Sequence, residues 1–221
     1  AGAILGGMQN EMKLSNYATI GGGAQNIVSG STLAGVFSGQ FNRISGSTHS
    51  TLAGGFNNQI KNSNYSLIGG GRGNMMTAST ESAIIAGSVS NIFDSVNATI
   101  GGGNKNEISG ATEGFVGGGG QNVIHDPTSS AIVGGQKNII LGPLSDYSFI
   151  GAGTAGRIEN SNNSVIVGGD NNIVLKSKGG SIVGGFAGTI ETSPFSFIGT
   201  GEFNAAGTSN YGFVGTGRRN T

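Results

Sequence analysis

Apolar and polar positions recur along this chain on a fixed beat. A branched aliphatic residue stands at Ile4, Ile20, Val36, Leu52, Ile68, Ile85, Ile100, Val116, Ile132, Ile150, Ile166, Ile182, Ile198 and Val214. Six residues after each comes an anchor, asparagine or glycine: Asn10, Asn26, Asn42, Asn58, Asn74, Asn91, Asn106, Asn122, Asn138, Gly156, Asn172, Gly188, Asn204 and Asn220. Two residues past the anchor lies a second apolar position, for example Val28, Ile44, Ile60, Phe93, Ile108 and Ile124. Most steps are 16 residues; the others are 17, 15 and 18. Such a period predicts a solenoid, because one repeat cannot bury its apolar face alone and stacked repeats can. The two apolar positions are separated by a glycine-rich turn, which puts them on two short strands facing each other across a thin core. The expected fold is all-β, a parallel β-solenoid (β-roll) of about 14 coils, forming one repeat domain over residues 1–221.

Asparagine and glycine share a tolerance of positive φ, so the anchor is expected in a left-handed turn. Its side-chain amide would then bond the turn backbone or the anchor one coil on. Glycines just before it (Gly7, Gly23, Gly39, Gly55, Gly71, Gly103, Gly119) serve the same bend. They recur in every coil with no helical pattern after them, which argues against a phosphate-binding loop. Pro127, Pro143 and Pro194 fall between the second strand and the next coil, where a missing N–H breaks no ladder. The 18-residue step predicts a projecting loop over 141–146.

Side-chain parity places a set of aromatics outside. Tyr17, Tyr65, Tyr147, Phe195 and Tyr211 stand nine residues before their anchors, and Phe115, Phe149, Phe197 and Phe213 seven before. Alternation across a strand sends this face away from the Ile20/Ile68/Ile100 column. In water these nine would expose on the order of 1,000 Å² of apolar surface. Soluble monomers seldom carry patches of more than a few hundred Å², so the face predicts association between copies of the chain.

Composition narrows the chemistry. Glycine is 45 of 221 residues but periodic and paired with aliphatics, which sets the chain apart from disordered sequences. Formal net charge is zero with 10% charged residues, giving no electrostatic footprint for nucleic acid or anionic membrane. No apolar run approaches membrane-spanning length, so no membrane insertion by this segment is expected. Cysteine is absent, and stability must come from packing and backbone pairing. The two histidines, His49 and His125, sit in different coils, and the acidic residues are scattered. Neither a catalytic dyad nor the Asp ladder of a calcium β-roll is formed, and the expectation is no enzyme, no metal and no cofactor. Recognition, where present, is expected in irregular connections: His125-Asp126-Pro127, the inserted stretch with Leu144 and Asp146, and thirdly Ser79 to Ser82 from the 17-residue copy. Glycosylation sequons occur at Asn64, Asn97 and Asn162.

The segment Asn163-Ser164-Val165-Ile166-Val167-Gly168, and more loosely Asn97-Ala98-Thr99-Ile100-Gly101, resembles the head repeat of YadA-type trimeric autotransporter adhesins, Asn-Ser-Val-Ala-Ile-Gly. Similar glycine-rich repeats occur in phage and viral fibres. The family repeat is typically 14 or so residues, shorter than the one here. The resemblance implies a homotrimer of parallel β-rolls, with one strand of each coil facing the trimer axis. It further implies an extracellular location, on a bacterial surface or virion fibre; the chain opens inside one repeat (Ile4 to Asn10) and closes on another (Val214 to Asn220), and is expected to be a piece of a longer fibrous protein. The functional expectation is a non-enzymatic segment for attachment to a host receptor or glycan. Its rival is a fibre depolymerase acting on surface polysaccharide.

Overall fold

The computed structural model describes all 221 residues as two compact units, Ala1–Ser109 and Gly110–Thr221, each a stack of parallel β-coils. Counted along the chain they hold about 13 turns, with no helix in either and so none that could cross a membrane. Each coil contributes a two-residue strand, such as Thr19–Ile20, and a three-residue strand, such as Ile27–Ser29. The short strands pair only with short strands and the longer only with longer: Ile20 faces Val36, and Val28 faces Ile44. Isolated bridges at the corners, such as Met8 with Ala24 and Asn16 with Thr32, continue the pairing between strands.

The core consists of two aliphatic columns. In the first unit Ile20, Val36, Leu52, Ile68, Ile84 and Ile100 oppose Val28, Ile44, Ile60, Met76, Ile92 and Ile108, all fully buried. In the second, Val116, Ile132, Ile150, Ile166, Ile182 and Ile198 oppose Ile124, Ile140, Ile158, Val174 and Ile190. Full burial of such a side chain stabilises by roughly 1.5–3 kcal/mol, and here it is realised only because the coils above and below close the slot.

Two expectations are corrected by the register. Ile84, not Ile85, pairs with Ile68 and Ile100, and Ile92, not Phe93, pairs with Met76 and Ile108. The anchor of that coil is therefore Ser90, not Asn91, and the apparent 17- and 15-residue steps are both 16. Ile84-Ile85 and Ile92-Phe93 are apolar doublets, so a one-residue slip kept the aliphatic pattern while Asn91 imitated the anchor. The slip would have reversed every facing in that coil. Ile85 is half exposed, as befits an outward position.

The anchor backbone is also not left-handed. Positive φ falls one residue earlier, at Gln25 (56°), Phe41 (58°) and Asn57 (55°), and at the glycine three before the anchor. Asparagine is used for its side chain, which points inward and is fully buried at Asn26, Asn42 and Asn58. The Asn42 N–H donates to Asn26 Oδ1 (3.0 Å), and Asn42 Nδ2 donates to Ser38 O (3.1 Å) and Gly55 O (2.9 Å). The Asn58 N–H in turn donates to Asn42 Oδ1 (3.0 Å). Each amide thus joins its own coil to both neighbours and is satisfied within a nearly dry interior.

Serines complete the interior. Ser47 Oγ donates to Ser45 O (3.0 Å) and accepts from the Ser63 N–H (3.1 Å), a bond pattern repeated through Ser63, Ser79 and Ser95. A second buried column runs through Ser50, Ser66 and Ser82. A coil of this width has no room for larger side chains at its corners, and hydroxyls satisfy the backbone there.

Candidate functional site

The nine aromatics singled out by parity all point outward, on two adjoining columns. Phe115, Phe149, Phe197 and Phe213 lie on the two-residue strands, one residue before the buried aliphatic. Tyr17, Tyr65, Tyr147, Phe195 and Tyr211 lie at the preceding corner with φ between 52° and 62°. They belong to the turn, not to the strand as the parity argument had them. Their rings stand at the tip of the corner, and the five are among the exposed large apolar side chains. A bulky residue at positive φ is strained, so each of these corners carries a local cost.

Stacking of the coils turns sequence spacing into ring contact. Phe195 and Tyr211 stack with centroids 5.5 Å apart and planes 14° from parallel; Phe197 and Phe213 stack at 5.4 Å and 8°. In the first unit Tyr65 stacks on His49 at 4.8 Å and 8°. Tyr211 and Phe213 remain 75% and 74% exposed, which leaves the far side of the stack open.

The loops expected to bind a ligand lie on neighbouring coils. His125 ends the strand Val123–His125 and pairs with Leu141; its Nε2 lies 3.3 Å from Asp126 Oδ2 at the exposed corner. Asp146 is engaged in the fold, its Oδ1 accepting the Thr128 N–H at 2.6 Å. Ser145 is fully buried in the serine column, so only Pro143 and Leu144 are extra residues, and Leu144 projects at 63% exposure. Ser79 and Ser82 are buried ladder residues in a coil of ordinary length, which removes the third candidate. Among the sequons, Asn64 Oδ1 accepts the Thr48 N–H (2.9 Å), while Asn162 Oδ1 is buried without a partner.

Ionisable groups pair locally and at the surface: Lys13 with Glu11, Arg157 with Glu159, and Arg218 with Glu202 at 3.2 Å. Exposed pairs of this kind contribute on the order of 0–1 kcal/mol. No three His, Asp or Glu side chains converge on a point where a metal ion could be held.

No protein-family model and no curated protein matches this chain. Solved structures match at a distance. A "putative acetyltransferase" from Desulfovibrio desulfuricans G20 is 11% identical, with 92% of this chain and 67% of that one covered, at a TM-score of 0.25. The Arabidopsis UDP-N-acetylglucosamine acyltransferase is 16% identical, covering 98% and 68%, at 0.22. A "putative acetyltransferase" from Bacillus cereus is 12% identical, covering 70% and 77%, at 0.20. These neighbours are acetyl- and acyltransferases, not adhesins or fibre proteins. On that finding the expectation of a non-enzymatic attachment segment is withdrawn, and with it the premise that the chain is no enzyme. Likenesses at this distance do not in turn carry an activity onto this chain.

Proposed function

We propose that this solenoid self-associates, its copies packing along the aromatic columns as a parallel homotrimer. The observation that carries the reading is the stacked, outward-facing pairs Phe195/Tyr211 and Phe197/Phe213, which join the last two coils on one side of the second unit. A ring column in water gains from burial at roughly 25 cal/mol per Å², offset by the entropy of association. The strained corners support the same reading. Left-handed positions are cheapest for glycine or asparagine, yet Tyr147, Phe195 and Tyr211 occupy them. The trimer, as against another closed number, rests on the resemblance of Asn163–Gly168 to YadA-type head repeats.

Light scattering on the full chain tests it, with three times the mass of one 21.9 kDa chain expected. Replacing Phe149, Phe197 and Phe213 together by serine should yield monomer or aggregate while the β circular-dichroism signal of the soluble fraction persists. A soluble monomer from the unmodified chain would sink the proposal. Acyl transfer is assayed on the same assembly with an acetyl thioester donor. Thiol release above the blank would make the assembly a catalyst as well.

A further inference from the structure

A second surface, away from the aromatic columns, has the makings of a ligand site. Two recesses adjoin on the first unit, one of about 490 Å³ and one of about 300 Å³, and Gln25, Ile27 and Phe41 line both. Gln9 and Glu11 extend the shared wall at one end, and Arg43, Asn57 and Gln59 at the other. Together they make one groove crossing four successive coils, roughly 15 Å long at ~4.8 Å per coil.

The lining is unusual for this fold in three ways. Phe41 holds a bulky ring at φ 58°, in a column otherwise filled here by Gln9, Gln25, Asn57 and Gly73. Its ring is 41% exposed and is fixed edge-on against Phe56 at 5.5 Å, while the Arg72 guanidinium sits 5.6 Å over Phe56. Around it stand four side-chain amides, Gln9, Gln25, Asn57 and Gln59, none of which hydrogen-bonds to the protein. Each presents a donor and an acceptor side by side, the arrangement that satisfies adjacent hydroxyls. The charge is balanced: Glu11 pairs with Lys13, leaving Arg43 as the one cation in the lining. This does not suit a polyanion. An apolar platform with a few placed polar groups is the general form of a small-ligand site.

We propose that this groove binds a linear, neutral saccharide, with a C–H face of one ring on Phe41 and hydroxyls paired with the amides of Gln25 and Asn57. A saccharide lying along the groove would carry its successive rings past successive coils, which are ~4.8 Å apart. The same column in the second unit carries Phe203, edge-on to Phe186 at 5.2 Å, but Ala187 stands where Gln25 does and Arg219 where Asn57 does, so both amides are missing. That position makes an internal control.

The experiment is saturation-transfer NMR on the full chain with cellotetraose, maltotetraose and chitotetraose. Transfer to at least one is expected. Phe41→Asn should weaken it at least tenfold without lowering Tm, because asparagine suits the left-handed corner better than phenylalanine. Gln25→Ala and Asn57→Ala should each weaken it several-fold, and Phe203→Asn should leave it unchanged. Binding should also survive in the Phe149/Phe197/Phe213→Ser chain, which separates this proposal from the assembly. No transfer to any of the three sugars overturns it, as does affinity unaffected by Phe41→Asn. Preferential transfer to an extended Gly-Ser peptide would make the groove a strand-binding surface and overturn it equally.

Discussion

In residues 1–109 the anchor column reads Asn10, Asn26, Asn42, Asn58, Asn74, Ser90 and Asn106; in residues 110–221 it reads Asn122, Asn138, Gly156, Asn172, Gly188, Asn204 and Asn220. The first unit keeps a side-chain acceptor at every rung. Even Ser90 reaches the Asn106 N–H, at 3.4 Å. The second drops it twice, so the Gly156 and Gly188 N–H groups donate to Asn138 and Asn172 Oδ1 in the coil before, but these glycines offer no side-chain oxygen to the coil after. Outside, the contrast runs the other way. Seven of the nine aromatics on the two aromatic columns belong to the second unit, and the amide-lined groove belongs to the first. The interior of both is set by one requirement, that each coil repeat the hydrogen bonds of its neighbour. Exterior columns face no such demand, and the units diverge there.

The position that tolerates least is neither aliphatic nor asparagine. Glycine stands three residues before the anchor in every coil of both units, and at Gly39 (φ 92°) an added Cβ would lie 2.2 Å from Gly55 O and 2.5 Å from Asn42 Nδ2. Coils cannot part there without breaking both ladders. Gly87, in the Ser90 coil, is the exception: its φ is ordinary and its nearest contacts would be Ser90 Oγ at 3.1 Å and Asn74 Oδ1 at 3.2 Å. The largest expected effect is therefore Gly39→Ala, a loss of at least about 3 kcal/mol, or a fall in Tm of roughly 10 °C. Gly87→Ala should cost about 1 kcal/mol or less, since only flexible side-chain ends must yield. Thermal melts of the two variants decide the matter; equal shifts would refute a steric limit specific to the stacked glycines.

The rungs themselves sharpen the comparison. Asn42→Ala would strand the buried Asn58 N–H and remove a donor from Ser38 O, while Gly55 O keeps the Gln40 N–H. One orphaned buried group costs ~1–3 kcal/mol, so about 2 kcal/mol is expected. Gly156→Asn makes the opposite change in the second unit. Its backbone is not left-handed, and a Cβ would meet Asn138 Oδ1 at 3.0 Å, a side-chain end able to give by a few tenths of an ångström. Restoring the rung should stabilise by about 1 kcal/mol. Destabilisation by this variant would show that the second unit's glycines are required by packing, not merely tolerated.

Much of this architecture was readable before any coordinates. One branched aliphatic per coil is a strong signal because only a stacked core explains it, and Ile20, Ile68 and Ile100 all proved buried. The slip at Ile85, Asn91 and Phe93 came from weighting a single asparagine above the register, when Ser90 could fill the rung. The serine columns were present in the sequence at the same 16-residue spacing. Serine next to glycine reads as loop, and its burial follows only from a coil too narrow for anything larger. The groove was invisible for a different reason. Gln9, Gln25, Phe41 and Asn57 share no residue type, and they become neighbours only once the stacking register is fixed. Irregular loops are where sequence reasoning expects recognition, yet this groove lies on regular coils.

The smallest expected effect concerns the one true irregularity, which the first unit lacks. Ser145 occupies the serine column: its Oγ donates to Leu141 O (2.6 Å) and accepts from the Ser161 N–H (3.3 Å). Asp146 Oδ1 holds the Thr128 N–H as Asn64 Oδ1 holds that of Thr48 in the first unit. Both ends of the insertion thus already adopt the ordinary coil, and Gly142 (φ 89°) precedes it as Gly46 (φ 61°) precedes Ser47. Deleting Pro143 and Leu144 together should let Ser145 follow Gly142 directly and restore a 16-residue coil. Leu144 is exposed and leaves no cavity, and shortening a surface loop lowers its closure entropy only slightly. Stability should change by less than about 1 kcal/mol, a Tm shift of roughly 3 °C, with the association state unchanged. A fall of 10 °C or more would show that the two residues are built into the coil. The difference between the units would then extend from their surfaces to their folding.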